Sequence, residues 1–394
     1  MNSARNQVTA RLSPPLFAIK KIANALVSAA LVLSALALAA CSSSVQKPKP
    51  ADLPANPALM SVRAAWTARL GEVGFPLQAG IAGNTVVLAA ADGSVVALDA
   101  RTGADIWRAS IGAPIAAGVG TDGKLAAVVS RANELVVLDT GREIWRQKLS
   151  AQVYTAPYVA GGRVFVLTAD RAVSAYDGAG GRKLWTQQRP SEPLVLRQRG
   201  VMLAVGDTLV TGLSGRLAGL NPVNGSIRWE APLASPRGTN DIERLVDLTG
   251  RVSRFGDVVC ARAFQSAVGC VNAARGNVLW TRPANGADGV DGDERNVYGS
   301  EADGKIIAWR RSDGERAWVS DRLQYRNLSA PLSLGRAVVV ADSTGLVHLL
   351  SREDGTPLTR LTTDNSGIGT DPVLVGDTLV VVTRGGTVYG FVPQ

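Results

Sequence analysis

The sequence has 394 residues, of which 46% are hydrophobic and 19% are charged, and its formal net charge is +9. This length and hydrophobic content are ample for a large core. The charge falls to +5 without the four basic residues of positions 1–40, and no cluster of Lys and Arg is interleaved with aromatic residues. The composition therefore argues against a nucleic-acid-binding protein.

Residues 1–40 have the pattern of a bacterial lipoprotein signal peptide. Four basic residues and no acid are followed by an apolar stretch, 22–40, which is short and rich in Ala for a transmembrane span. The stretch ends in the letters LALAAC, which resemble the lipobox of bacterial lipoproteins. The resemblance implies cleavage before Cys41, lipidation of Cys41 and, because Ser42 follows rather than Asp, sorting to the outer membrane. A plain signal peptide or an uncleaved anchor is the alternative.

Residues 41–60 are predicted to form a flexible tether between the lipid and a folded domain at 61–394. The segment contains Pro48, Pro50 and Pro54. Prolines at this density favour an extended backbone.

A repeat of roughly 40 residues fills the rest of the chain. Seven of the eight tryptophans stand 41, 38, 40, 44, 51 and 38 residues apart. Thr359 continues the series, since it follows Gly355 by four positions as Trp107 follows Gly103. A period of this length with several short strands is typical of propeller blades. The seven tryptophans are predicted to be structural: Trp66, Trp107, Trp145, Trp185, Trp229, Trp280 and Trp318.

Each copy of the repeat predicts four strands. In the clearest copy, a turn at Asp92-Gly93 opens a Val-rich strand, a second turn spans 99–103, and the last strand carries Trp107. The weaker run at 81–90 supplies two more strands. One blade cannot bury both of its faces alone, so the copies must stack around a ring.

The two ends of the repeat region predict how the ring closes. After Thr359 the sequence supplies three more strands, whereas 64–70 supplies a strand with Trp66 and no inner strands before it. The N-terminal strand is therefore expected to complete the last blade, which removes the sheet edges that an open array would expose. The predicted fold class is all-β, an eight-bladed β-propeller of four-stranded antiparallel blades at 61–394.

Cys260 and Cys270 lie on either side of a predicted hairpin turn at Gln265-Ser266. The compartment of an exported protein would permit a disulfide. A strict two-residue turn would place the two cysteines on opposite faces of the sheet, whereas a bulge would bring them together. The sequence leaves both arrangements open.

Few residues suggest catalysis or metal binding, and no catalytic, cofactor-binding or metal site is predicted. The single histidine, His348, lies within a predicted strand, and no Ser/His/Asp set assembles around it. The chain has no CxxC and no HExxH motif for zinc. One acidic run lacks the ligand spacing of a calcium loop and is better explained by turns: Asp288, Asp291, Asp293 and Glu294.

Through residues 97–99, 102–103 and Trp107, the repeat resembles the tryptophan-docking motif of the pyrroloquinoline-quinone dehydrogenases. In that family the motif is structural and locks one blade to the next. The enzymes are longer and use adjacent cysteines, a calcium site and a catalytic Asp in extended loops. This chain has no adjacent cysteines, no CxxCH haem site and little loop length to spare, so a dehydrogenase-like enzyme is kept only as the alternative.

A second resemblance covers the whole chain. The lipobox, the Pro-containing tether, the eight repeats and the segments 329–355 and 364–391 are similar to the BamB family of lipoproteins. The resemblance implies a non-enzymatic scaffold without a cofactor, held at the outer membrane by its lipid and facing the periplasm. It also implies docking on the periplasmic POTRA domains of BamA and a role in the insertion of β-barrel proteins. Unfolded β-barrel clients are a further class of partner, through exposed strand edges.

Two loops, 194–199 and 241–249, are predicted to form the partner-binding surface. Each connects the outer strand of one blade to the inner strand of the next, within the two longest repeat spacings, so they lie at neighbouring junctions on one face. They resemble the BamA-contacting segments of the family, which implies a patch of two apolar anchors flanked by opposite charges: Leu194, Leu196, Arg197 and Asp247. Thr249 departs from the family pattern, where a second Asp is common. The alternative is that both leucines only pin the loop to the propeller.

Overall fold

The computed structural model describes residues 48–189, 194–236 and 244–394, and these ranges contain 32 strands and no helix. The chain divides into Met1–Lys49 and Pro50–Gln394, and every strand found in the described ranges belongs to the second unit. The predicted signal peptide and Cys41 lie outside the described residues. In the described part of the chain, no helix has the length and apolar character needed to span a membrane.

The strands form eight four-stranded antiparallel sheets, numbered here as blades in chain order. The first strand, β1 (Val62–Arg69), belongs to blade 8. Blades 1 and 2 are β2 (Gly80–Ala82), β3 (Thr85–Ala89), β4 (Ser94–Asp99), β5 (Asp105–Ser110), and β6 (Ile115–Thr121), β7 (Leu125–Ser130), β8 (Glu134–Asp139), β9 (Arg142–Lys148). Blades 3 and 4 are β10 (Tyr158–Ala160), β11 (Arg163–Leu167), β12 (Val173–Asp177), β13 (Lys183–Gln187), and β14 (Met202–Val205), β15 (Thr208–Leu213), β16 (Arg216–Leu220), β17 (Ile227–Pro232).

Blades 5 and 6 are β18 (Leu248–Phe255), β19 (Val258–Ala263), β20 (Ala267–Asn272), β21 (Asn277–Pro283), and β22 (Val290–Gly292), β23 (Asn296–Ser300), β24 (Ile306–Arg310), β25 (Arg316–Ser320). Blade 7 is β26 (Leu332–Leu334), β27 (Ala337–Ala341), β28 (Val347–Ser351) and β29 (Pro357–Leu361). Blade 8 is β30 (Val373–Val375), β31 (Thr378–Val382), β32 (Thr387–Pro393) and β1. The blades form a ring, and the predicted eight-bladed propeller is confirmed.

Blade 8 is built from both ends of the propeller. Strand β1 pairs antiparallel with β32, with Val62 opposite Pro393 and Trp66 opposite Gly390. The expected closure of the last blade by the N-terminal strand is therefore confirmed.

The middle strands of a blade are apolar on both faces because each blade is packed between two others. In blade 1, β3 and β4 are buried over nearly their whole length, whereas the outer strand β5 has only exposed and half-buried residues. Burial on both faces explains why the Val-rich runs of the repeat are nearly continuous.

The seven predicted tryptophans pack against the glycine of a turn in the next blade. Trp66 of blade 8 lies on Gly103 of blade 1, where an added Cβ would come within 2.5 Å of the indole, and Gly103 has a φ of +72°. Among the described residues, five indoles also donate a hydrogen bond of 2.8–3.1 Å to a carbonyl of the same turn. The other six pairs are Trp107–Gly141, Trp145–Gly181, Trp185–Gly225, Trp229–Gly276, Trp280–Gly314 and Trp318–Gly355.

The junction between blades 7 and 8 is built differently. Thr359 of β29 stands at the tryptophan position, and blade 8 has no turn between its third and outer strands, β32 and β1. The segment just before β1 packs here instead. Leu59 N donates to Leu358 O at 2.7 Å, and the Asn56 side chain bonds both backbone groups of Arg360 at 2.9 and 3.0 Å.

These contacts correct the predicted tether at 41–60. The part from Ala51 onwards lies on the propeller, since Ala51 N donates to Gln324 O at 2.9 Å and Leu53 packs into the apolar cluster between blades 6 and 7. Prolines favour an extended backbone in this segment, as the sequence indicates. An extended segment can pair with an open strand edge, however, and β29 offers one.

Cys260 and Cys270 form a disulfide. The turn between β19 and β20 has three residues, 264–266, and the ladder places Cys260 directly opposite Cys270. The two-residue turn considered above is therefore wrong, and the extra residue puts both cysteines on one face.

Candidate partner-binding surface

The two predicted loops lie on one face of the ring, the loop face, which carries the connections between blades and the turns between the two middle strands of each blade. Residues 194–199 precede β14, and 244–247 precede β18. Residues 190–193 and 237–243 lie outside the described residues, so the first part of the second predicted loop, from Asp241, is not located.

Arg171 and Asp247 join the two loops. Arg171 Nη2 donates to Leu194 O at 3.0 Å and lies 3.0 Å from Asp247 Oδ1, while Asp247 Oδ2 accepts a hydrogen bond from Leu196 N at 3.0 Å. The two side chains are only 8% and 15% exposed. Hydrogen bonds can compensate the desolvation of a shielded ion pair, and here both partners also bond the loop backbone. The compensation is incomplete, because Arg171 Nε and Nη1 are buried and have no hydrogen-bond partner in the described part of the chain.

Arg171 is a functional candidate that the sequence analysis missed. It stands in the turn between β11 and β12, at the position of Gly93 in the clearest copy of the repeat, and its φ is +60°. This left-handed region is costly for a residue with a bulky side chain. An arginine in place of a turn glycine was the signal that the sequence contained.

The other end of the first loop is fixed at the centre of the ring. The Arg199 guanidinium pairs with Asp371 of blade 8 at 2.5 Å, and Gly250 N donates to Arg199 O at 2.6 Å. Gly200 N donates to Thr155 Oγ1 at 2.8 Å. The backbone of the loop is therefore held at both ends.

The four predicted partner-binding residues lie together, but they do not share one orientation. Leu194 is 38% exposed, Arg197 is exposed and Leu196 is half-buried. Within residues 48–189, 194–236 and 244–394, the Arg197 guanidinium has no hydrogen bond or ion pair. Asp247 instead turns towards Arg171 and the loop. Of the two opposite charges expected in the patch, that of Arg197 is exposed and that of Asp247 is paired with Arg171.

A cavity of about 440 Å³ at the centre of the loop face is a second candidate site. Its charges are largely paired internally, as Arg199 with Asp371 and as Glu301 with the buried Arg262 at 2.9 Å. Burial raises the pKa of Asp288 to about 6. Thr249, 2% exposed, also lines the cavity, and its hydroxyl has no hydrogen-bond partner in the described part of the chain.

The acidic run is divided among different elements: Asp288 precedes β22, Asp291 lies in β22, and Asp293 and Glu294 lie in the turn after it. Asp293 Oδ1 accepts hydrogen bonds from Arg295 N and Asn296 N at 2.8 Å each, and Asp291 Oδ2 accepts one from Ser333 N at 3.0 Å. Over the described ranges, no group of three or more His, Cys, Asp or Glu is arranged to hold a metal ion.

His348 belongs to an internal network in blade 7. Its Nε2 lies 3.0 Å from Asp342 Oδ2, which also accepts a hydrogen bond from Arg326 Nε at 2.7 Å. Burial lowers the pKa of His348, although its hydrogen bond to Asp342 acts in the opposite direction. Burial would raise the pKa of Asp342, but hydrogen bonds from His348, Thr344 and Arg326 outweigh it and hold that pKa well below its usual range.

Comparison with known proteins decides the family. The family model described as outer membrane protein assembly factor BamB matches residues 91–320. A BamB of Burkholderia pseudomallei is 37% identical over 370 residues, which cover 93% of this chain and 97% of that protein. The chain belongs to the BamB family. A BamB of Bordetella pertussis is 34% identical, over 91% of this chain and 95% of its own length.

Solved structures show the same fold. The crystal structure of BamB from Moraxella catarrhalis has a TM-score of 0.77 at 23% identity and covers 84% of this chain and 99% of its own. The quinohemoprotein alcohol dehydrogenase of Comamonas testosteroni has a TM-score of 0.65 at 15% identity, over 86% of this chain and 77% of its own. At these identities the likeness concerns architecture alone, so the dehydrogenase alternative gains nothing beyond the shared propeller.

Proposed function

We propose that this chain is a non-enzymatic scaffold lipoprotein of the β-barrel assembly machinery, attached to the outer membrane through Cys41 and facing the periplasm. Membership of the BamB family supports the assembly role. The proposed task is to dock on the POTRA domains of BamA and so aid the insertion of β-barrel proteins into the outer membrane.

The observation that carries this proposal is the preorganised loop at 194–199. Its two ends are held by Arg171 with Asp247 and by Arg199 with Asp371, while Leu194 and Arg197 remain exposed. A surface that is already ordered loses less conformational entropy on binding. The guanidinium of Arg197 can pair a partner carboxylate bidentately, and Leu194 supplies an apolar anchor beside it.

Asp247 and Arg171 have a different proposed role. Both are positioning residues, because they bond the backbone of the loop rather than present free groups to a partner. Loss of either should disturb binding only through loss of the loop conformation.

The test is Arg197→Glu in the full-length lipoprotein, with affinity for detergent-solubilised BamA and the free energy of unfolding both measured. Central interface residues are commonly worth ~2 kcal/mol or more, so binding should weaken by roughly 30-fold or more. The free energy of unfolding should change by no more than about 0.5 kcal/mol, as is usual for surface substitutions. Arg142→Glu is the matched control, because Arg142 is exposed at the start of β9, next to the β8–β9 turn on the opposite face.

Asp247→Asn provides the contrast, because loss of one partner of a shielded ion pair should lower stability and binding together. Full binding by Arg197→Glu would mean that the docking surface lies elsewhere. A loss of stability in Arg197→Glu that parallels its loss of binding would favour the packing alternative. A quinone-reducing activity of the purified protein would support the dehydrogenase alternative instead.

A further inference from the structure

The N-terminal segment 51–60 fixes where the proposed lipid tether leaves the ring. Arg326 Nη1 donates to Ala51 O at 3.0 Å, and Ala51 N donates to Gln324 O at 2.9 Å. Arg326 is itself 10% exposed and paired with Asp342. The chain is therefore clamped at the connection between blades 6 and 7, on the loop face.

Further contacts hold the segment along blade 7. Arg360 Nη2 donates to Pro54 O at 2.7 Å, and Asn56 bonds the backbone of the same arginine. Leu53 and Met60 pack into the apolar clusters on either side of blade 7. The segment is part of the fold, so the tether proposed to lead to Cys41 extends no further than Pro50.

The length of chain between Cys41 and Ala51 is short compared with the ring. Nine residues separate Cys41 from Ala51, and a fully extended chain of that length spans at most about 32 Å. A compact unit of the length of Pro50–Gln394 has a diameter of roughly 50 Å. A lipid at Cys41 therefore cannot reach a bilayer that touches the opposite side of the ring, at blades 2 and 3.

The surface beside the clamp suits lipid headgroups. Arg322 and Tyr325 are both exposed in the connection between blades 6 and 7. Across the described ranges, the Arg322 guanidinium has no hydrogen bond or ion pair. A basic residue is attracted to an anionic membrane surface, and tyrosine favours the boundary between apolar and aqueous phases.

We propose that the side of the ring at blades 6 and 7, with Arg322 and Tyr325, faces the phosphate-bearing headgroups of the bilayer. This orientation rests on the lipid anchor of the proposed function. It turns blades 2 and 3 away from the membrane, and the 194–199 loop adjoins blade 3.

The test uses the full-length lipidated protein in phosphatidylethanolamine and phosphatidylglycerol vesicles that carry a headgroup-attached quencher. Fluorophores are placed at Ala317→Cys in β25 of blade 6 or at Ala132→Cys in the β7–β8 turn of blade 2. Both alanines are exposed, and the remaining native cysteines are disulfide-bonded. Quenching should be several-fold stronger at position 317 than at position 132.

A second variant tests the short tether. A Gly/Ser insertion of about 40 residues after Ser44 adds a contour length of about 130 Å, which lets the ring turn over, so the difference between the two labels should shrink. Arg322→Glu should reduce quenching at position 317 without loss of vesicle binding.

The proposed orientation would be overturned if a protein that is bound to the vesicles showed equal quenching at both positions, or stronger quenching at position 132. A difference that survives the insertion would overturn the argument from tether length. If the lipoprotein does not float with vesicles at all, the anchor itself fails, a result separate from loss of BamA binding.

Discussion

Seven junctions of the ring and the junction between blades 7 and 8 solve the same packing problem in different ways. At each of the seven junctions, an indole from one blade packs over a turn glycine of the next blade. Between blades 7 and 8 the repeat supplies Thr359, and the segment 51–60 lies along the outer strand of blade 7. The first solution is local and repeats with the sequence, whereas the second needs residues about 300 positions apart, such as Asn56 and Arg360.

This difference shows that the segment before β1 has two roles. Strand β1 completes blade 8, and the residues before it cover the one junction without a tryptophan. The proposed membrane tether would thus begin at the closure of the ring, and a pull on it would act on that closure.

The largest expected effect is that of Trp66→Ala, which removes the tryptophan contact that β1 contributes. Trp66 is 9% exposed and donates a hydrogen bond to Ala100 O at 2.8 Å. Truncation of a buried tryptophan costs about 3–5 kcal/mol, so urea denaturation should show a loss of that size.

Trp107→Ala is the matched control for this prediction. Trp107 is half-buried, and no indole hydrogen bond of Trp107 is found within the described residues. Its loss should therefore cost clearly less than the loss of Trp66. Equal losses would mean that burial and the hydrogen bond do not distinguish the junctions.

A smaller effect is expected from Thr359→Trp, which restores the repeat at the exceptional junction. Thr359 is 6% exposed, and blade 8 has no glycine turn to receive an indole. Overpacking should therefore lower the free energy of unfolding by about 1–3 kcal/mol, measured by urea denaturation. Thr359→Val should change the free energy of unfolding by less than Thr359→Trp does, because valine has nearly the same volume as threonine and does not overpack the site. Stabilisation by tryptophan would show that the junction merely lacks its normal contact.

The smallest effect is a pH dependence in the network that supports the Ala51 clamp. The folded state lowers the pKa of His348 below its ordinary value of 6.5, so the unfolded state binds the proton first as the pH falls. Stability should be complete above pH 6.5 and decline as the pH falls towards the folded-state pKa. His348→Gln should remove this decline, as measured by urea denaturation at a series of pH values.

Asp288 has the opposite sign and must be separated from His348. Its pKa is raised to about 6, so its contribution to stability is lost as the pH rises through that value. The contribution of Asp288 cancels when the free energy of unfolding of His348→Gln is subtracted from that of the wild type, because Asp288 is present in both proteins. If this difference in the free energy of unfolding did not change with pH, the role assigned to His348 would be contradicted.

The candidate site was only partly predictable from the sequence. Long spacings between tryptophans located two neighbouring loops on one face, because a regular scaffold places every connection between blades at the same end. The sequence could not show that Asp247 turns inward, since that depends on Arg171, a residue of another blade. Nor could it show that 51–60 is docked, because extended segments look alike whether or not they meet an open edge.

The sequence by itself determined the number of blades, the four strands in each and the closure by β1. These features follow from a periodic pattern of short-range signals: turn glycines, Val-rich strands and one tryptophan per repeat. Only the tertiary structure decided which charges are paired, where the segment 51–60 lies on the ring, and how Cys260 meets Cys270. The physical reason is that these features arise between residues of different blades or from the exact length of a turn, and periodicity carries no information about either.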